Sequence, residues 1–233
     1  MTENETAMKE EDLKRYWYNR WKEGFGWFTM AGTLKASAYS TRGIFLAAEQ
    51  RFLQDFWEKA DVKREGDTIK IKRDFPPGTQ DPEMNMYRIY MGQAGGAIEN
   101  LFKGIIISGM WLDDPQSIDA VDDFKELSFP LKGSDTQKMH MKTHELVDLL
   151  SAKNMTLTFG DGEKEILKKL SYFIKSGGRY TSPVKFDEKD DPTFMKTMPP
   201  FDEPHEHEII DKIYRAAETE LVKLASLQRD RRP

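Results

Sequence analysis

The stretch "GGAIENLFKGIIISGMW", residues 95–111, decides the fold. Ile98, Leu101, Phe102, Ile105 and Ile106 recur at i, i+3, i+4, i+7 and i+8, the spacing of one helical face. The apolar run is too short to cross a bilayer, and Lys103 interrupts it. Extended backwards, the pattern reaches Pro82, suited to a first helical position, with Asp81 as its cap. The expectation is a helix over 82–112. Its glycines are unusual: Gly92, Gly95, Gly96, Gly104 and Gly109 each cost about 1 kcal/mol relative to alanine in a helix interior. Gly92, Gly96 and Gly104 lie near one ridge. Close approach of another helix would offset that cost; the plainer alternative is a kink.

Upstream, Ala31, Leu34, Ala38, Phe45, Ala48, Phe52 and Phe56 form one apolar stripe, which predicts a helix over 27–59. About 22 residues join the two helices, implying an antiparallel pair at the heart of a bundle. That connection alternates at Thr68–Lys72 and then meets Pro76, Pro77 and Gly78, a loop with at most a small hairpin. Residues 9–23 suit a short amphipathic helix that Gly24 and Gly26 break. Downstream, 113–142 are less regular, with a short helix in "SIDAVDDFKEL". Helices are expected over 143–152, capped by Thr143, over 162–177 and over 205–227. The fold class read from this pattern is all-α: an antiparallel four-helix-bundle core with extra N- and C-terminal helices and little or no strand. Residues 1–8 read as a flexible tail and 9–183 as the helical domain. Residues 184–204 read as a loop, 205–227 as a helix packed on the same domain, and 228–233 as a loose tail.

Composition narrows the function. The chain has no cysteine, so disulfide frameworks, thiolate metal sites and cysteine nucleophiles are excluded. A formal charge of -5 argues against a generic polyanion-binding face, though not against a small basic pocket at a dimer seam. The start, "MTENETAMKEED", lacks a basic n-region and an apolar h-region, so no signal peptide is expected and the cytoplasm is the expected compartment. No Walker, GxSxG or HExxH motif is present. His205 and His207 in "DEPHEHE" diverge if helical and lack a third ligand, so neither metal nor cofactor is expected.

Three polar constellations remain. Glu99 and Lys103 are spaced i, i+4 with the acid first, the better order for a helical ion pair. Flanked by apolar residues, this Glu would be half-buried and would need further cationic support. In "KMHMKTHEL", His144 starts a predicted helix, where a neutral imidazole could move a proton. In "LSYFIKSGGRYTSP", residues 170–183, the glycines and Pro183 end a helix, which leaves Arg179 and Tyr180 unexplained. Arg179 offers a planar fork for a carboxylate or a phosphate. The expectation is that it turns back onto Glu99, with Tyr180 covering the pair.

A helix reading "GGAIENLFKG", then "HEL", then "SGGRYTSP" resembles the HEPN-like helical-bundle proteins over about residues 83–183. The resemblance implies an antiparallel four-helix core, a homodimer, and a place in bacterial toxin–antitoxin or antiphage systems. It implies Glu99, Asn100, Lys103, His144, Arg179 and Tyr180 as the polar set. The family's metal-independent RNA cleavage resides in an Arg-x4-6-His motif. Here no Arg stands five to seven positions before any His, and Lys138 precedes His144 with five residues between. The first expectation is therefore a dimeric module that binds RNA, a nucleotide or a cognate protein partner without that motif. The alternatives are a divergent endoribonuclease using His144 with Arg179 or Lys138, and a purely structural partner protein.

Overall fold

Gly24 adopts φ 75°, a left-handed turn that a side chain would resist, and it separates the helical residues 19–22 from a long helix. The structure is a computed structural model describing residues 16, 19–22, 24–65, 68–72, 86–121, 127–134, 136–176 and 203–231. Helix α1 spans Phe25–Lys59. Of the two expected glycine breaks only Gly24 acts as one, since Gly26 lies within the first turn of α1. A hairpin of β1 (Asp61–Glu65) and β2 (Thr68–Lys72) follows, in a register from Asp61–Lys72 to Glu65–Thr68. Helix α2 spans Met86–Asp113, and Asp114 caps the short α3 (Pro115–Asp119), accepting a hydrogen bond from the Ser117 amide.

A second small hairpin, which the sequence pattern did not announce, pairs β3 (Ser128–Pro130) with β4 (Lys138–His140). The expected helix over 143–152 is cut to one turn, α4 (Leu146–Leu149). Its apolar spacing is helical, but backbone pairing with the hairpin diverts the chain. Lys132 donates to the Ser151 carbonyl and Lys153 to the Pro130 carbonyl, both at 2.8 Å, and Leu131 bridges to Ala152. Thr143 is consequently not the cap; the helix starts after Glu145. Helix α5 (Asp161–Ser176) and helix α6 (Glu203–Arg231) complete the described chain. The expected tail from 228 is a further correction. The helix runs on to Arg231, Gln228 is buried with its Nε2 donating to the Lys22 carbonyl, and Arg231 donates to the Leu112 carbonyl.

The fold is mainly α-helical, and side-chain contacts set the helix directions. Trp27 lies against Gly104, Leu34 against Gly96, Thr41 bonds Gln93, and Phe45 packs on Tyr87, so α1 and α2 run antiparallel. Tyr87 meets Glu206 and Gly104 meets Leu221, so α6 runs parallel to α2. Lys169 meets Glu206 and Lys212 meets Glu163, so α5 is antiparallel to α6. Successive long helices thus alternate in direction.

Helix α2 is enclosed by α1, α5 and α6. Ile98, Leu101, Phe102, Ile105 and Ile106 are all fully buried, each side chain worth about 1.5–3 kcal/mol of transfer. Unlike a surface helix, α2 is also buried on its other sides, at Tyr87, Tyr90, Met91, Ile107 and Trp111. Its glycines permit this. A Cβ at Gly104 would stand 2.9 Å from both Leu221 Cδ2 and Trp27 Cβ, and one at Gly95 would stand 2.9 Å from Ile174 Cγ1. Close approach, the first of the two readings of these glycines, holds at both positions.

Candidate functional site

Glu99 projects from the middle of α2 among apolar neighbours and is 8% exposed. A buried carboxylate needs partners for both oxygens. Lys103, one turn on and 7% exposed, places Nζ 2.6 Å from Oε1. The third member arrives from the loop before α4: His144 Nδ1 lies 3.1 Å from Oε1 and 3.0 Å from Oε2. A carboxylate carries no proton to give, so Nδ1–H is the donor in both contacts. The His144 side chain is 36% exposed, so the ring joins a buried ion pair to the surface.

The loop carrying His144 is fastened on both sides. Thr143 Oγ1 accepts from the Glu145 amide at 3.2 Å, and the Thr143 amide donates to the His140 carbonyl. The Leu146 amide donates to Ser171 Oγ at 2.9 Å, while Ser171 itself donates to the Leu167 carbonyl within α5. An ion pair between Glu145 and Lys175 ties the same loop to α5. His144 is therefore set over Glu99 by α2 from below and α5 from the side.

The sequence-derived polar set is only partly assembled. Glu99, Lys103 and His144 come together. Asn100 turns away into its own helix, donating to the Gly96 carbonyl at 2.7 Å. Lys138 is exposed on β4. Arg179 and Tyr180, together with the expected clamp of Arg179 on Glu99, lie outside the described residues. Among the described residues no group of three or more potential metal ligands converges.

The chain matches no family model, no curated protein and no solved structure.

A second polar cluster went unrecognised in the sequence. Glu206 and Lys169, both 6% exposed, form a buried ion pair between α6 and α5. Tyr87 Oη donates to Glu206 Oε2 at 2.5 Å, and the Lys169 ammonium lies 5.6 Å from the centre of the Tyr87 ring. The readable signal was Glu206 standing in line with Ile210, Ile213 and Ala217, the core face of its helix. Next to it, His207 Nδ1 meets Tyr90 Oη at 2.8 Å, while His205 is exposed, so the two imidazoles diverge as their helical spacing requires.

Further along α6, Asp211 bonds Tyr39 and Arg215 and lies 3.8 Å from Lys35. Burial pushes the Asp211 carboxyl up, but the Tyr39 hydrogen bond and the Lys35 and Arg215 cations outweigh it and hold the group below the usual carboxylate range. Burial and then Asp211 push the Tyr39 phenol up. Burial, followed by Glu218, raises Tyr214 to about 12. The shallow cleft between these residues holds one cation, Lys35. It already serves Asp211 and sits 4.0 Å from the Tyr214 ring centre. That arrangement joins α1 to α6 and leaves no charge to offer a ligand.

Proposed function

We propose that this chain is a HEPN-like helical module, its four long helices forming an antiparallel four-helix bundle, that works as a homodimer in a bacterial defence or toxin–antitoxin type system in the cytoplasm. It binds RNA or nucleotide phosphates, or a cognate protein partner, at the surface around His144. One observation carries this reading. The Glu99–Lys103–His144 cluster is neutralised in the interior, yet it reaches the surface through one imidazole on a fastened loop. A purely architectural cluster has no need of that exposed edge. Lys138 and Arg179 are the proposed phosphate-holding cations, because Lys103 is spent on Glu99.

The contact of Glu99 with Nδ1 favours one second reading, metal-independent RNA cleavage. There Nε2 takes the proton of a ribose 2′-hydroxyl, the 2′-oxygen bonds to the adjacent phosphorus, and the P–O5′ bond breaks. The products are a 2′,3′-cyclic phosphate and a 5′-hydroxyl, whose proton comes from a second donor, either Lys138 or the same imidazole across a dimer axis.

The test is a pair of assays on the purified chain in EDTA: binding of single-stranded RNA and mononucleotides, and RNA cleavage by wild type beside His144→Ala and Arg179→Ala. Binding that weakens in both variants without cleavage supports the module. Cleavage lost in both supports the enzyme. A monomer that ignores every RNA and nucleotide sinks both.

A further inference from the structure

We infer that Glu99 is a positioning residue for His144: it holds the ring as the Nδ1–H form, making Nε2 the atom that meets a phosphate-bearing ligand and exchanges a proton with it. The inference rests on the reading that such a ligand binds here. Both oxygens of Glu99 lie within 3.1 Å of Nδ1, so the proton on that nitrogen is held whether the imidazole is neutral or charged. Proton exchange is then confined to Nε2, to which no described residue bonds.

The carboxylate can do this because its own charge is balanced locally. Lys103 binds Oε1 at 2.6 Å and belongs to the same helix, so Glu99 has a counter-ion in the interior without drawing on the ligand. The loop that carries the ring is held independently by the Thr143, Leu146 and Glu145 contacts on either side of it. A side chain whose only task was to cap Glu99 would need neither these fasteners nor its 36% exposure. The neutral form presents a lone pair at Nε2, suited to a ribose hydroxyl proton. The charged form presents N–H, suited to a phosphate oxygen. Donating to a buried carboxylate through the other nitrogen is the device by which proteins fix an imidazole's tautomer.

Imidazole nitrogen NMR of the full-length, 15N-labelled chain tests this, with the His144 signals assigned by their loss in His144→Gln. Only four histidines contribute. The neutral ring should show a protonated Nδ1 and a bare Nε2, which is the minor form of free histidine. Glu99→Gln, whose amide oxygen still accepts, should keep that pattern. A bare Nδ1 in the wild type overturns the inference without reference to any variant. The second arm titrates the sample with a single-stranded oligouridylate and with AMP. The His144 Nε2 signal should move at the concentrations where binding is seen. Binding without movement at Nε2 overturns the inference and leaves the module standing. No binding to any probe overturns the reading on which it rests, and the inference with it.

Discussion

Replacing Glu206 by leucine isolates the worth of the buried pair that joins α5 to α6. The substitution removes one charge and takes a partner from two groups. The Lys169 ammonium, 6% exposed, loses its counter-ion, and the Tyr87 hydroxyl loses its acceptor at 2.5 Å. Breaking a buried pair on one side costs about 3–5 kcal/mol, because the survivor remains charged in a poor solvent. The lost Tyr87 hydrogen bond to a charged group is worth about 1.5–3 kcal/mol. The two groups share one partner, so their costs overlap and the larger figure governs. At about 2–4 °C per kcal/mol for a chain of this size, the melting temperature should fall by about 6–20 °C. Scanning calorimetry at neutral pH measures the fall. The double variant Lys169→Met/Glu206→Leu, which strands no charge, should recover most of it. A Glu206→Leu protein that melts within about 2 °C of wild type would show that Lys169 escapes to solvent or sheds its proton freely. A double variant no better than the single would refute the reasoning that orphaned charge, and not lost packing, carries the cost.

Gly104→Ala should destabilise, since its Cβ would meet Leu221 and Trp27 at 2.9 Å; overpacking of about 1–3 kcal/mol exceeds the roughly 1 kcal/mol gained in helix propensity. Gly43→Ala in α1, where a Cβ meets nothing within 4 Å, should raise the melting temperature by about 2–4 °C, so one calorimetric series reads both signs. The folded state holds the Asp211 carboxyl below its ordinary 3.8, so the unfolded chain takes up the proton first as pH falls. The stability this group contributes is therefore full above that value and is lost as pH drops through the lower, folded one. Acid unfolding followed by circular dichroism should be shallower in Asp211→Asn over that range.

The long helices were legible because their signal is local. Stripes in α1, α2, α5 and α6 repeat with the helical period over many turns, and no competing partner in the described chain diverts them. The helix expected at 143–152 failed for the converse reason. Its apolar spacing is sound, but β3 and the residues after it offer backbone partners to Ser151, Ala152 and Lys153, and tertiary pairing overrides a short local preference. Gln228 failed similarly. A polar, charged segment reads as a tail until the residues around Lys22 fold across it. For the site, the sequence grouped Glu99, Lys103 and His144 but could not supply distances. It missed Glu206 because a lone acid in the core stripe of an otherwise charged helix looks like noise until Lys169 and Tyr87 are seen to converge on it.

The two buried acids are stabilised differently, and the difference bears on function. Glu206 depends on Lys169, a partner 37 residues away that is in place only once α5 and α6 have docked. Glu99 has Lys103 one turn along its own helix, available as soon as α2 forms. The charge at Glu99 is thus balanced within α2 itself, and the imidazole serves the second oxygen, Oε2. Removing His144 leaves the Glu99–Lys103 pair but takes the partner of Oε2, whereas removing Lys169 takes the cation of Glu206. On that ground the His144 variants should fold where single variants of the Lys169–Glu206 pair are strained. A loss of binding or cleavage in a His144→Ala protein that melts close to wild type then reports on the ligand-facing nitrogen.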